Sequence, residues 1–119
     1  YNLHIIVRFE LELALAEGRL DVRDVPEAWR DGYRAMLGVE PKHDAEGCLQ
    51  DVHWSGAAFG YFPSYTLGNL YAASYRATLD KSLPDLDAKV ARGAFGEVLG
   101  WLRTHIHQRG HEADAPVIV

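Results

Sequence analysis

The chain has 119 residues, of which 48% are hydrophobic and 24% are charged, and its formal net charge is −5. This composition is typical of a globular domain and excludes an intrinsically disordered chain. The acidic balance, with no Lys/Arg run longer than two and no stretch of about 20 apolar residues, argues against nucleic-acid binding and against a membrane span.

Two features bear on the location and extent of the protein. Cys48 is the only cysteine, so no internal disulfide can form, and we expect a reducing, cytoplasmic location. The chain does not begin with Met, and it ends on the apolar stretch "APVIV". Both ends lead us to expect a piece of a longer protein.

The first predicted element is a helix over residues 2–17. Leu, Ala and Glu favour it, and Gly18 is suited to end it. Three polar side chains, His4, Arg8 and Glu12, recur every four residues and so share one face of the helix. The apolar positions at helical spacing, which we expect to be buried, are Ile5, Ile6, Phe9, Leu13 and Ala16.

A second helix is predicted over residues 24–38, with Asp24 as its cap, Pro26 in its first turn and Gly38 as its end. Its expected apolar face consists of Trp29, Tyr33, Met36 and Leu37. Residues 39–63 show no sustained periodicity and are rich in Gly, Pro, His and aromatic residues. They predict a long structured loop, a feature that is often functional.

Three further helices are predicted after Pro63. The first begins near Ser64, the second covers residues 83–93, and the third covers residues 95–110. The sequence therefore predicts an all-α protein of about five helices with a long structured loop. The first of these three helices has an expected core face of Leu67, Leu70, Tyr71, Ser74 and Leu79.

The segment "GCLQDVHW", residues 47–54, concentrates chemically capable side chains in the predicted loop. Cys48 could act as a nucleophile if His53 were oriented towards it, but a small buried residue is the better interpretation. His53 beside Trp54, and the tyrosines Tyr61 and Tyr65, each suit packing when taken singly. Their density in one loop without periodicity favours a functional role.

Arg8 leaves two interpretations open. It could pair with Glu12 on a solvated helix face, a contact worth only about 0.3–0.5 kcal/mol. It could instead project from a largely apolar helix into a cleft and bind a carboxylate with its planar guanidinium.

The histidine-rich end, "HIHQRGHEAD", resembles a metal-binding sequence only weakly. His107 and His111 are four residues apart, but Gly110 is expected to break the helix between them, and position 115 is Ala where H-E-x-x-H would require His. We therefore predict no metal site within this chain.

Three segments resemble one known family. "YNLHIIVRFELE", "DAEGCLQDVHW" and "FGYFPSYTLGNLYAA" are similar, in order and spacing, to segments of the thermostable, Taq-type zinc carboxypeptidases, in which G-x-x-Q-D-x-H-W is a signature. The similarity runs from Tyr1 to about Gly110. It departs from some relatives at Gly56, which leaves the fit of the substrate open.

The resemblance implies that residues 1–119 are a single helical segment from the C-terminal part of a larger, two-lobed helical catalytic domain. The zinc-binding H-E-x-x-H of the family precedes the matched segment and is absent from this chain. The resemblance thus implies zinc in the parent enzyme, with its ligands outside this chain, peptide substrates with a free C-terminus, and an inactive isolated segment.

The resemblance also implies roles for six residues. Arg8 would bind the C-terminal carboxylate of the substrate, in the same substrate-binding region as Gln50 and Asp51, which would chiefly orient the loop. His53 and one of the tyrosines Tyr61 and Tyr65 would stabilise the tetrahedral oxyanion of peptide hydrolysis.

The alternative function is a non-catalytic helical module for interaction or oligomerisation. The missing metal motif and the apolar ends of the chain favour it. Under either function we expect a homo-oligomer, because a piece of a larger helical protein would expose apolar surface that a second copy can cover.

Overall fold

The computed structural model describes residues 1–110 and 112, and every regular element in them is helical. The chain divides into two compact units, Tyr1–Gly68 and Asn69–Val119, which we describe separately. The predicted all-α class is confirmed. The α-helices of the described residues are α1 (Asn2–Ala16), α2 (Val25–Leu37), α3 (Phe62–Ser82), α4 (Leu86–Ala91) and α5 (Gly96–His105).

Local sequence accounts for the ends of the first two helices. Gly18, just after α1, and Gly38, just after α2, have φ values of 69° and 68°. This left-handed conformation is strained for residues with a Cβ, which is why glycine ends both helices. Pro26 lies in the first turn of α2, where its fixed φ suits a helix and its missing N–H costs nothing.

The core of the first unit lies between α1 and α2. Trp29 of α2 is fully buried and packs with Val7 and Leu11 of α1. Gly32 allows the two helices to approach closely, because a Cβ at that position would lie 2.8 Å from Cγ1 of Val7. Partly buried side chains that surround this core are Leu20, Ala28, Tyr33, Met36, Cys48 and Trp54.

The prediction for the buried face of α1 was largely wrong. Ile5 is buried as expected, but Phe9 and Leu13 are exposed. The face that carries Arg8 and Glu12 is buried instead, and each of these two residues is only 7% exposed. Counting apolar residues failed here because charged side chains can be buried when they are paired or hydrogen bonded.

A long segment between α2 and α3 forms the predicted loop. Its only helical turn in the described chain is a short 3-10 element at Cys48–Gln50. Helix α3 begins at Phe62, two residues before the predicted start at Ser64. Phe62 is fully buried, and its ring lies 6.0 Å from that of Trp54 and 4.9 Å from that of His53, measured between centroids. Burial of this ring joins the end of the loop to the start of α3.

The second unit contains most of α3 together with α4 and α5. Leu79 and Leu86 are buried there, and Nζ of Lys89 lies 2.7 Å from Asp85 and 2.7 Å from Glu97. The first contact joins Lys89 to the residue just before α4, and the second links α4 to the start of α5.

Two details of the predicted last helices were wrong. Leu67 and Leu70, assigned to the core face of the third helix, are exposed. The fifth helix ends at His105, and a 3-10 turn at His107–Arg109 follows it. His111, which the weak metal prediction considered, lies outside the described residues.

Substitution of Gly32 by Ala tests the close approach of α1 and α2. The new methyl group would collide with Val7, and overpacking of a core costs about 1–3 kcal/mol, against at most about 1 kcal/mol gained from the higher helix propensity of Ala. We expect a net loss in the free energy of unfolding, measured by urea denaturation. The matched control is Gly68→Ala in α3, where no described atom lies within 4 Å of the new Cβ and a small gain is expected. Equal effects of the two substitutions would contradict the packing argument.

Candidate functional site

A cleft of about 230 Å³ lies between α1, the loop and the start of α3 in the first unit. Five of the six residues that the sequence assigned to a site line this cleft, and the sixth, Tyr61, does not. The side chains with polar groups that line the cleft are those of Tyr1, His4, Arg8, Gln50, Asp51, His53 and Tyr65.

Arg8 is held by contacts from three parts of the fold. Its Nε donates a 2.6 Å hydrogen bond to Oδ2 of Asp51 in the loop. Its Nη1 donates to the carbonyl oxygen of His4 at 2.9 Å and to the hydroxyl of Tyr33 in α2. Its Cζ lies 4.6 Å from the ring centroid of Trp29, within the range of a cation–π contact. Arg8 is therefore buried and multiply bonded, and the interpretation of a solvated pair with Glu12 was wrong.

His4 completes the surroundings of Arg8. Its Nδ1 lies 2.9 Å from Nη1 of Arg8, a group that can only donate, so Nδ1 is the acceptor. Burial lowers the pKa of His4 from its ordinary value of 6.5, and the positive charge of Arg8 lowers it further. His4 is thus kept neutral beside Arg8.

Asp51 connects Arg8 to His53. Burial alone would raise the pKa of Asp51, but hydrogen bonds from Arg8 and His53 outweigh it, and the pKa is lowered. Oδ1 of Asp51 accepts from the backbone N–H of His53 at 2.8 Å and lies 2.8 Å from its Nδ1. Because an ionised carboxylate only accepts, Nδ1 of His53 carries the proton.

The other nitrogen of His53 faces Tyr65. Nε2 of His53 lies 3.1 Å from the Tyr65 hydroxyl. Burial raises the pKa of Tyr65, and the neighbouring Tyr61 raises it further, so the phenol stays protonated at neutral pH and can donate a hydrogen bond. Asp51, His53 and Tyr65 form a continuous series of hydrogen-bonding groups in the cleft.

Tyr61 occupies a different position from Tyr65. Its ring stacks against His53 with centroids 6.3 Å apart, and its side chain is about half exposed. Sequence reasoning could not choose between the two tyrosines. The geometry brings only Tyr65 within hydrogen-bonding distance of the imidazole.

Cys48 and Gln50 take the remaining positions in the sequence segment that contains His53. Cys48 packs against the core, and burial raises the pKa of its thiol, so it is a poor nucleophile. Gln50 is exposed at the cleft. A larger cavity of about 610 Å³ borders Cys48. Its lining is mainly apolar, and Asp21 is the only acidic or basic residue among the described residues that line it.

Three contributors to the site were missed by the sequence reasoning. Tyr33 and Trp29 were assigned to an apolar helix face, and His4 was seen only as a member of a polar stripe. The spacing of Trp29 and Tyr33 by four residues on α2 did indicate a shared face, and their rings stack with centroids 5.1 Å apart. Nothing in the spacing indicated that Arg8 would lie on this pair.

No metal centre can be built from the described residues. They contain no group of three or more His, Cys, Asp or Glu side chains that could hold a metal ion. The residues of this cleft therefore do not fit a zinc ion. No helix among the described residues has both the length and the hydropathy needed to cross a membrane.

Substitution of Asp51 by Asn tests the pair with Arg8, whose side chains are 9% and 4% exposed. Removing one partner of a buried ion pair costs about 3 kcal/mol, so we expect a loss of that size in the free energy of unfolding at neutral pH. Because the folded pKa of Asp51 lies below its ordinary value of 3.8, its stabilisation is present above that pH and is lost as pH falls through the folded value. The difference in the free energy of unfolding between wild type and variant should therefore become smaller in acid.

Urea denaturation across this pH range measures the effect, with Glu40→Gln as the control. Glu40 also pairs with an arginine, Arg34, at 2.6 Å, but both side chains are exposed, so a much smaller loss is expected. The buried-pair interpretation would be contradicted if Asp51→Asn lowered the free energy of unfolding no more than Glu40→Gln does. It would also be contradicted if the effect of Asp51→Asn stayed the same in acid.

Comparison with known proteins identifies the family of this chain. The family model of the carboxypeptidase Taq (M32) metallopeptidases matches residues 1–119. Thermostable carboxypeptidase 1 of Thermus thermophilus is 52% identical over 119 residues, which are 100% of this chain and 23% of that protein. Carboxypeptidase 1 of Bacillus subtilis is 46% identical over 110 residues, which are 92% of this chain and 22% of that protein.

A solved structure of a metallocarboxypeptidase also resembles this chain. Metallocarboxypeptidase 1 of Trypanosoma cruzi matches with a TM-score of 0.86 at 39% identity, covering 92% of this chain and 23% of that one. This chain thus spans less than a quarter of the length of these relatives. Since the family model matches it throughout, the chain belongs to the carboxypeptidase Taq (M32) metallopeptidase family.

Proposed function

We propose that this chain supplies one side of the active-site cleft of a metallocarboxypeptidase that removes C-terminal residues from peptides. The observation that carries the proposal is that the Asp51–His53–Tyr65 series and Arg8 line the same cleft. Family membership supports the reaction class. The relatives are more than four times as long, so the activity belongs to the whole protein, and the 119 residues alone are expected to be inactive.

We infer that the metal, which we take to be zinc, binds to residues outside this chain. The family consists of metallopeptidases, whereas the described residues offer no metal-binding group.

Arg8 is proposed to bind the C-terminal carboxylate of the substrate. It lines the cleft, and its Nε and Nη1 are bonded to protein groups, whereas no described residue accepts a hydrogen bond from Nη2. A guanidinium whose other donors are held in place presents the remaining one in a fixed direction. Gln50, exposed at the same cleft, is proposed to add a weaker contact to the substrate.

His53 and Tyr65 are proposed to stabilise the oxyanion that forms when water adds to the scissile carbonyl group. When His53 is protonated, Nε2–H donates to the Tyr65 oxygen, and the phenolic O–H is free to donate to the oxyanion. Asp51 stabilises the imidazolium through Nδ1–H, which keeps Nε2 directed at Tyr65. Tyr61, stacked beside His53, is proposed to shape the cleft.

The interaction-module hypothesis leads to different expectations. It gains support from the exposed apolar residues of α1, among them Leu3, Phe9 and Leu13. It gives no reason for an ionised and hydrogen-bonded series in a cleft, and we favour catalysis on that ground. A homo-oligomer and a cytoplasmic location remain predictions.

Tyr65→Phe in the complete protein tests the oxyanion role. Loss of one donor to an oxyanion lowers kcat by about 10²–10³-fold, and KM should change little because the donor acts in the transition state. Steady-state release of C-terminal residues measures both constants. Tyr61→Phe is the matched control, since it removes the same atom from the adjacent ring and should have a much smaller effect. If Tyr61→Phe proved the more damaging change, the assignment of Tyr65 would be wrong.

Arg8→Lys tests carboxylate binding, and lysine is used because alanine would leave Asp51 buried without its partner. Wild-type enzyme should prefer a peptide with a free C-terminus over the same peptide with a C-terminal amide. If Arg8 binds the carboxylate, kcat/KM for the free peptide divided by kcat/KM for the amide should be smaller in the variant than in the wild type. A uniform loss on both substrates would assign Arg8 to positioning alone.

A further inference from the structure

Glu12 lies one helical turn after Arg8 on α1, and both residues are only 7% exposed. They do not pair with each other, because Arg8 bonds to Asp51 and Glu12 bonds elsewhere in the loop. The mechanism proposed above leaves the buried carboxylate of Glu12 without a role.

The two oxygens of Glu12 accept from two separate positions in the loop. Oε2 accepts from Nε1 of Trp54 at 2.8 Å, and Oε1 accepts from the backbone N–H of Gly60. One carboxylate thus joins both ends of the segment 54–60. Trp54 directly follows His53 in sequence, and Gly60 directly precedes Tyr61.

The segment between these two positions is tightly folded. Ala57 has a φ of 59°, a conformation that residues with a Cβ seldom adopt, and Gly60 has a φ of 73°. The backbone N–H of Ala58 donates to the carbonyl oxygen of His53 at 2.8 Å. A strained turn of this kind persists only when its surroundings hold it, and it bears directly on the backbone of His53.

The carboxylate is unusual because no described Lys, Arg or His side chain forms an ion pair with it. Its charge is stabilised by neutral donors alone, and an apolar residue of similar size would avoid the cost of burying it. A carboxylate, however, accepts two hydrogen bonds on two different oxygens, which no apolar side chain and no single amide oxygen can do.

We propose that Glu12 is a positioning residue, which sets the place of the His53 imidazole in the cleft by holding Trp54 and Gly60 at once. The effect on catalysis rests on the proposed function, whereas the effect on His53 itself does not. Glu12 touches neither the cleft nor any group in the hydrogen-bonding series, so it acts only through the loop.

Glu12→Gln tests the proposal because glutamine keeps the shape and offers one acceptor oxygen in place of two. Its NH₂ must then face either the indole N–H or the Gly60 N–H, and that end of the loop is released. In the 119-residue chain, we expect the NMR resonances of the His53 ring and of the Trp54 indole N–H to shift. In the complete enzyme, we expect kcat to fall about 10–100-fold with KM within about twofold, as a misplaced catalytic group would cause.

Two further variants sharpen the result. Glu10→Gln, an exposed position on the same helix, makes the same change in charge and should leave all readouts unchanged. Trp54→Phe removes the indole N–H that donates to Oε2 of Glu12. The decrease in kcat caused by this change and the decrease caused by Glu12→Gln should therefore not add in the double variant. Trp54→Phe also serves as the direct test if Glu12→Gln does not fold.

The possible outcomes separate the two proposals. A Glu12→Gln variant that is less stable but keeps the wild-type ring resonances of His53 and the wild-type kcat would overturn the positioning role. A complete wild-type protein that releases no C-terminal residues would overturn the proposed function, and the ring resonances of His53 would still decide whether Glu12 positions the imidazole.

Discussion

The burial of two opposite charges on consecutive turns of α1 is the constraint on which the rest of the first unit depends. Arg8 and Glu12 are each 7% exposed, and each must be hydrogen bonded because an unpaired buried charge is strongly unfavourable. Both find their partners in the loop, Arg8 at Asp51 and Glu12 at Trp54 and Gly60. The helix therefore specifies the conformation of a loop that has no periodic structure of its own.

The shape of the guanidinium explains why this arrangement also fixes α2. Arg8 donates to His4 on its own helix, to Tyr33 on α2 and to Asp51 in the loop, while its plane lies over Trp29. A guanidinium holds its donors in a rigid plane, so its contacts fix one another in direction, whereas the three donors of an ammonium group rotate together. Through this one side chain, the core contact between α1 and α2 and the position of the loop become a single structural feature.

The helices could be predicted from sequence because their signals are local: helix propensity, the spacing of apolar residues and the glycines at positions 18 and 38. The buried face of α1 could not, since a hydrophobicity pattern places Phe9 and Leu13 inside and Arg8 and Glu12 outside. The resemblance to a family named Arg8, Asp51 and His53 as site residues, but not their contacts. Arg8 and Asp51 are 43 positions apart, and their pairing follows from packing that sequence spacing does not contain.

The same pairing limits how the proposed cleft can attract a carboxylate. Arg8 and Asp51 together carry no net charge, so the positive charge of the guanidinium is partly compensated before any substrate arrives. Within the proposed function, Arg8 therefore selects a carboxylate mainly by the direction of its remaining donor. Within the same proposal, protonation of His53 adds a positive charge to the cleft, and it is also the state in which Tyr65 is free to donate to an oxyanion. Binding of the substrate carboxylate and stabilisation of the oxyanion are thus coupled through one imidazole, and the loop contacts that place this imidazole matter for both.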